Sequence, residues 1–290
     1  MKYKKILLFS GIALPASVLL RFLQLVFTVD TKTGFFKPEY KETGYYLLIL
    51  IIVCAAVTAA LCFTTHRKPE NPPKKSLPLA IVSFLTAVIT GVEIFSESFS
   101  GTVMHWQTSL LMLAGIAAIA FFTVYGISLV SDFKLSPISA AVPVIYFIIK
   151  VICVFTSISS LALITDNVLM LAAYCVMLLF FLCFGKLYNG IDREYNFRKL
   201  QAAGFASAIL CFTQSIPHIV INLLNGNSYQ HTSNISNISL LAYGLFTAVF
   251  TLVFFSLKNV TVTHRRDTVT TQLYMCFSVS LYENEKEKAP

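Results

Sequence analysis

Long apolar stretches without charged residues recur along this chain, and short polar segments separate them. A helix needs about 20 apolar residues to cross the hydrocarbon core of a bilayer, where it satisfies its own backbone hydrogen bonds. The pattern therefore predicts an all-α fold, a polytopic integral membrane helix bundle of about eight transmembrane helices. The predicted spans cover residues 6–27, 44–63, 77–95, 108–130, 138–158, 166–185, 200–222 and 238–257.

Two parts of this pattern have a second interpretation. Only a short apolar segment, residues 159–165, separates the fifth and sixth spans. Two helices nevertheless fit a bilayer better than one helix of about 45 residues. The first span follows three lysines, as in a signal peptide, but its apolar run continues to Phe27. That run is longer than the roughly 7–15 apolar residues of a signal peptide, so we predict an uncleaved first span.

The composition indicates that few residues are left for a soluble domain outside the membrane. Hydrophobic residues make up 56% of the 290 residues and charged residues 12%, and the mean hydropathy is +0.73. Soluble domains contain about 45–50% apolar and about 25% charged residues. We therefore predict a single transmembrane domain over residues 1–257 and a short, partly disordered cytoplasmic tail over residues 258–290.

The basic residues predict the orientation. A net charge of +8 would suggest nucleic acid as a partner of a soluble protein, but here the charges lie mostly in loops between spans, which argues against nucleic acid. Seventeen of the 22 Lys and Arg residues fall on one side, and three, Lys32, Lys37 and Lys41, fall on the other. Cytoplasmic loops are enriched in Lys and Arg, so both termini are expected in the cytoplasm of a cell with the protein in its inner (plasma) membrane.

Similar positions in the two halves of the chain suggest an internal repeat. Cys54 and Cys62 of span 2 match Cys175 and Cys183 of span 6 at one offset of 121 residues. A repeat of four spans would be parallel, related by an axis along the membrane normal. The predicted halves are residues 1–135 and 136–257.

Charged residues inside the spans are the main candidates for function, because each costs about 2.5–3.5 kcal/mol at the bilayer centre on insertion scales. Arg21, Glu93 and Lys150 lie within spans 1, 3 and 5, and Lys150 is deep enough that it should face the bundle interior. Two cations and one carboxylate in an outward-facing cavity would favour an anionic ligand. The candidate ligand-binding residues are Arg21, Gln24, Glu93, Lys150, Gln214 and His218.

These residues also have a purely structural interpretation. Arg21 and Glu93 would pair and join span 1 to span 3, while Lys150 would bind carbonyls at a helix end. Arg21 could instead extend outward to the interface. Pro217 is expected to break span 7 locally. No catalytic or metal-binding motif occurs among the known signatures, and the sequence predicts no cofactor.

One stretch resembles a known group of proteins. Arg21-Phe-Leu-Gln24, followed by Asp30-x-x-Thr33-Gly34-Phe35, is similar to the start of a group of uncharacterised bacterial polytopic membrane proteins. The resemblance implies a bacterial inner-membrane location. It also points to the outer end of span 1, where the embedded charges begin.

Three functions fit these observations. The first is a transporter or outward-facing binding module for an anionic solute or lipid headgroup, although the nearly apolar cytoplasmic halves of the spans argue against a pathway through the membrane. The second is a membrane-embedded regulator or scaffold subunit, which would contact a partner protein through the basic loop between Lys186 and Lys199 and through the tail. The third is an intramembrane enzyme that acts on a lipid headgroup.

Overall fold

The computed structural model describes residues 2–30, 35–64, 75–99, 105–131, 133, 135–136, 138–158, 165–225 and 234–254. Eight helices in these residues are long and apolar enough to cross a membrane, which confirms the predicted all-α polytopic bundle. The helices are α1 Lys2–Leu23, α2 Lys41–Phe63, α3 Leu77–Phe99, α4 His105–Val130, α5 Val142–Ile158, α6 Thr165–Tyr188, α7 Arg193–Asn225 and α8 Asn234–Phe254.

Most span limits agree with the hydropathy pattern, and the differences have a simple cause. The fifth and sixth spans are separate helices, as predicted. Helix α7 has 33 residues and begins at Arg193, several residues before the predicted limit at residue 200. Hydropathy detects only the apolar part of a helix, whereas the backbone can continue as a helix into the polar interface. Pro217 lies inside this continuous helix, so the expected break is wrong.

Helix α7 is the central helix of the described bundle. It packs against α1, α2 and α6. Of its most apolar segment, 78% is buried, a larger share than in the other described spans. Gly244 of α8 lies against Cys211 of α7, where a larger side chain would collide with the neighbouring helix. Small residues at such crossings let helices approach closely in a membrane. The polar residues of α7 are consequently enclosed by other helices.

Aromatic side chains fill the space between α4, α6 and α8. Phe122 makes edge contacts with Phe181 and Phe246, at ring-centroid distances of 5.9 and 5.3 Å. Phe181 also stacks on Phe246 at 5.9 Å, and Phe184 meets Phe121 edge to face at 6.2 Å. Such pairs add roughly 0.5–1.5 kcal/mol each beyond the burial of their area. This part of the bundle is therefore a packed apolar core.

A tight turn connects α6 to α7. Gly190 has a φ of 75°, and its N–H donates to the Leu187 carbonyl at 3.1 Å, while the Ile191 N–H donates to the Lys186 carbonyl at 2.9 Å. These two bonds form a Schellman motif, in which the residue after the helix adopts a left-handed conformation. Glycine meets that requirement without strain. The turn brings α7 back along α6, which aligns their polar residues.

We expect Gly190→Ala to lower the free energy of unfolding by roughly 1–2 kcal/mol, because alanine is strained in the left-handed region. The measurement is denaturant-induced unfolding of the purified protein in detergent. Gly11→Ala is the matched control, since Gly11 lies in α1 with open space around it, and alanine should there stabilise the helix by up to about 1 kcal/mol. Equal effects of the two substitutions would contradict the role of the turn.

The chain divides into two compact units, Met1–Thr251 and Leu252–Pro290. The predicted cytoplasmic tail, residues 258–290, lies outside the described residues. The predicted repeat halves stay a prediction.

Candidate functional site

Arg21 is completely buried and lies among polar side chains from three helices. Its guanidinium forms an ion pair with Asp166 in the first turn of α6 and donates a hydrogen bond to the side-chain oxygen of Gln24. A longer hydrogen bond, 3.4 Å, reaches Gln214 on α7. His218 Nε2 lies 3.1 Å from the Asp166 carboxylate on the same oxygen. We call these five residues, Arg21, Gln24, Asp166, Gln214 and His218, the Arg21 cluster.

The local helix geometry explains why these side chains converge. Gln214 and His218 are four residues apart on α7, so they share one face of the helix. Asp166 lies in the first turn of α6, where the helix dipole favours a negative charge. The ends of α1 and α7 and the start of α6 lie at the same end of the bundle, because these helices alternate in direction.

A π-helical turn, Gln24–Thr28, continues α1 beyond Leu23 and orients Gln24. The Gln24 amide nitrogen donates to the backbone carbonyl of Gly44 on α2 at 2.7 Å, and the Thr28 hydroxyl donates to the Gln24 carbonyl at 2.7 Å. The Phe36 ring occupies the space where a side chain at position 44 would begin, so a glycine is needed there. The turn thus fixes both amide atoms of Gln24 between Arg21 and α2.

The polar region of α1 extends one helical turn deeper than Arg21. Ser17 lies four residues before Arg21 on the same face, and it is fully buried. Its hydroxyl has no hydrogen-bond partner among the described residues. A buried hydroxyl without a partner costs about 1–3 kcal/mol, and such groups are commonly satisfied by water or a ligand.

A second buried cluster surrounds Glu93 on α3. Lys150 of α5 donates to Glu93 Oε1 at 2.7 Å, and the hydroxyls of Tyr146 and Tyr243 lie 3.4 and 3.3 Å from Glu93 Oε2. The two tyrosine hydroxyls are 2.9 Å apart, and Thr90 lies 3.0 Å from that of Tyr243. We call these five residues, Thr90, Glu93, Tyr146, Lys150 and Tyr243, the Glu93 cluster.

The six predicted ligand-binding residues are all buried, but they fall into two groups. Four of them, Arg21, Gln24, Gln214 and His218, meet in the Arg21 cluster, whereas Glu93 and Lys150 form the ion pair of the other cluster. Lys150 is 4% exposed, which confirms that it faces the interior. Their role in ligand binding stays a prediction.

The charge partners differ from those expected from the sequence. Arg21 pairs with Asp166 and Glu93 pairs with Lys150, so the predicted Arg21–Glu93 pair is wrong. Arg21 is buried rather than extended to the interface. Within the described residues, each of the two embedded cations contacts a carboxylate, so the predicted excess of positive charge is not found there.

Sequence reasoning missed Asp166 because it lies at the end of a span, where a carboxylate usually reaches water. The position of Asp166 along the membrane normal could have identified it. Asp166 lies at the start of α6, at the same end of the bundle as Arg21 near the end of α1. Tyr146, Tyr243 and Thr90 gave no comparable signal, because each resembles an ordinary residue of an apolar helix face.

No family model, no curated protein and no solved structure matches this chain. The resemblance of the segment from Arg21 to Phe35 to a bacterial membrane-protein group stays a prediction. The two buried clusters are therefore the observations that bear on function.

Proposed function

We propose that this chain is a multi-pass protein of the bacterial inner membrane that binds an anionic solute or lipid headgroup at the Arg21 cluster. It would act as a transporter or as an outward-facing binding module. The eight membrane helices and the asymmetric distribution of Lys and Arg support this location, with both termini in the cytoplasm.

The observation that carries the proposal is the complete burial of a guanidinium among polar groups of α1, α6 and α7. Well-packed apolar residues often give equal or greater stability than a buried ion pair. Ionisable residues inside a membrane are therefore functional candidates, and the planar guanidinium matches carboxylates and phosphates in particular. Asp166 occupies the position that such an anion would take, so the ligand competes with Asp166 for Arg21.

The surroundings of the cluster support access from one end of the bundle. The Arg21 cluster lies where α1 ends and α6 begins. The Ser17 hydroxyl, which has no partner in the part of the chain that the structure describes, lies one turn deeper. The aromatic core of Phe122, Phe181 and Phe246 fills another part of the bundle with apolar contacts. These features favour a binding site reached from the outer side or the outer leaflet over a continuous polar pathway.

Thermal unfolding of the detergent-purified protein tests this proposal against a panel of organic carboxylates, phosphates and short-chain anionic lipids. One class of anion is expected to raise the midpoint, because a ligand at 100 times its Kd stabilises the folded state by about 2.7 kcal/mol. Arg21→Gln should abolish the shift. Asp166→Asn should give an equal or larger shift at lower anion concentration, because it removes the competing charge.

Lys150→Met is the matched control, since it also removes one buried cation but belongs to the Glu93 cluster. It should leave the response to the anion unchanged. Loss of the response in Lys150→Met as well as in Arg21→Gln would contradict a site centred on Arg21. The absence of a shift with every anion, in wild type and in Asp166→Asn, would reject binding there.

A scaffold or regulatory subunit is the second candidate, and one observation favours it. Both embedded cations have carboxylate partners, so the two clusters are electrically balanced without a ligand. Balanced pairs can fix which helices are neighbours. In that case no anion would stabilise the protein, and function would depend on protein contacts of the cytoplasmic loops.

A further inference from the structure

A groove lies between the end of α1 and the start of α2, on the outer side of the π turn. Its volume is about 530 Å³, within the range of roughly 300–1,000 Å³ that is usual for small-molecule sites. It is lined by Leu23, Val26, Phe27, Thr28, Lys37, Tyr40, Thr43 and Leu47.

The backbone holds Lys37 at the edge of this groove. The Lys37 N–H donates to the Thr28 carbonyl at 2.8 Å, beside an antiparallel bridge between Val29 and Phe36. The Lys37 ammonium lies 3.4 Å from the Phe27 carbonyl. Among the described residues, no carboxylate forms an ion pair with Lys37. Its positive charge is therefore available to an anion at the rim.

The groove is lined by polar and by apolar residues, which we call its rim and its wall. Lys37, Tyr40 and Thr43 of the rim carry an ammonium and two hydroxyl groups. Leu23 and Phe27 form part of the wall, and Phe27 is 60% exposed in the described structure. A ligand that matches both parts needs a negative headgroup next to a hydrocarbon chain. A soluble anion would leave the apolar wall uncovered.

We propose that the groove binds an anionic phospholipid of the adjacent leaflet. The phosphate lies at Lys37 between the hydroxyls of Tyr40 and Thr43, and an acyl chain lies along Leu23 and Phe27. Lys and aromatic residues are common at the membrane interface, where such headgroups are found. The lipid is recognised by its charge at the rim and by its chain at the wall.

The π turn connects this groove with the Arg21 cluster. Thr28 lines the groove, and its hydroxyl bonds to the carbonyl of Gln24, whose side chain contacts Arg21. Single π-helical turns occur frequently at functional sites. If the proposed function holds, on which this step rests, the anionic ligand of the Arg21 cluster is a lipid headgroup that arrives through the groove.

Mixed micelles of a nonionic detergent with phosphatidylglycerol or with phosphatidylcholine test the groove on the full chain. Phosphatidylglycerol is expected to raise the thermal midpoint more than phosphatidylcholine does. One interfacial cation contributes about 1 kcal/mol to anionic lipid binding, so Lys37→Gln should weaken the apparent affinity about fivefold. Thr43→Trp, which fills the groove without changing the charge, should weaken it too.

Lys41→Gln is the matched control for charge, because Lys41 is exposed on the same side and does not line the groove. It should retain the wild-type response. Equal losses of lipid affinity in Lys37→Gln and Lys41→Gln would indicate only a general attraction of the anionic lipid to the positive surface. Equal thermal shifts with the two lipids would indicate only nonspecific lipid around the protein. Either result would overturn the proposal.

The variants distinguish lipid binding in the groove from anion binding at the Arg21 cluster. A lipid response that Lys37→Gln weakens and Arg21→Gln retains supports the groove and rejects anion binding at Arg21. A lipid response that only Arg21→Gln abolishes rejects the groove and supports the Arg21 cluster alone.

Discussion

Asp166→Leu is expected to lower the free energy of unfolding by roughly 3–5 kcal/mol, because it leaves Arg21 as an uncompensated buried charge. Arg21 and Asp166 are both at most 1% exposed, so water cannot solvate the remaining guanidinium. The double variant Arg21→Met/Asp166→Leu should recover most of this loss, since it removes both charges. Unfolding by denaturant in mixed micelles, analysed as a double-mutant cycle, measures the coupling between the two residues.

The single variant Arg21→Met should be less damaging than Asp166→Leu. His218 lies 3.1 Å from the Asp166 carboxylate and remains as a partner when Arg21 is absent. Equal losses for the two single variants would contradict this role of His218. An additive cycle, with no coupling, would reject the ion pair itself.

A pair that is partly exposed to solvent provides the reference for these effects. Glu194 and Arg198 form an ion pair four residues apart on α7, at 2.7 Å, with the Glu194 side chain 65% and the Arg198 side chain 19% exposed. Such pairs contribute about 0.3–0.5 kcal/mol. The cycle of Glu194→Leu and Arg198→Met should therefore give a coupling several times smaller than that of Arg21 and Asp166.

The sequence predicts the membrane helices well because each span is a local pattern. Hydropathy and length are sufficient to locate a segment of about 20 apolar residues, and burial of Lys150 followed from its depth alone. The start of α7 was less accurate, since polar residues at the interface can continue a helix. This helix extends into a region where hydropathy carries no information about the backbone.

The neighbours of each charge could not be predicted in the same way. Arg21 and Asp166 are 145 residues apart, and nothing in the periodicity of α1 or α6 indicates which helices pack together. The sequence grouped Arg21, Gln24, Gln214 and His218 with Glu93 and Lys150 in one candidate site, and the structure brings only the first four together. Glu93 and Lys150 are charged and embedded as well, but their helices bring them together in a separate cluster.

The polar contacts bear on the predicted 4+4 repeat, which stays a prediction. The offset of 121 residues between the matched cysteines of spans 2 and 6 also relates Glu93 to Gln214. Arg21 in the first helix contacts Gln214 in the seventh, and Lys150 in the fifth contacts Glu93 in the third. Each cation thus reaches the third helix of the other predicted half, as a twofold relation between the halves requires.

Glu93→Leu is expected to destabilise the protein by roughly 3–5 kcal/mol, because Lys150 then remains buried without its carboxylate. The Tyr174 ring, whose centroid lies 5.8 Å from the Lys150 ammonium, offsets only part of this loss, since cation–π contacts contribute about 0.5–2 kcal/mol. Lys150→Met should cost less, because Glu93 keeps two tyrosine hydroxyls within 3.4 Å. The same denaturant measurement in mixed micelles applies.

The double variant Glu93→Leu/Lys150→Met then separates a structural role from a binding role for this cluster. If the pair only fixes the packing of α3 against α5, the double variant should unfold near the wild-type midpoint and keep the anion response of the Arg21 cluster. Recovery of stability together with loss of that response would contradict this division, because it would mean that the two clusters bind the ligand jointly. Failure to recover stability would show that the tyrosine hydroxyls depend on Glu93 for their own hydrogen bonds.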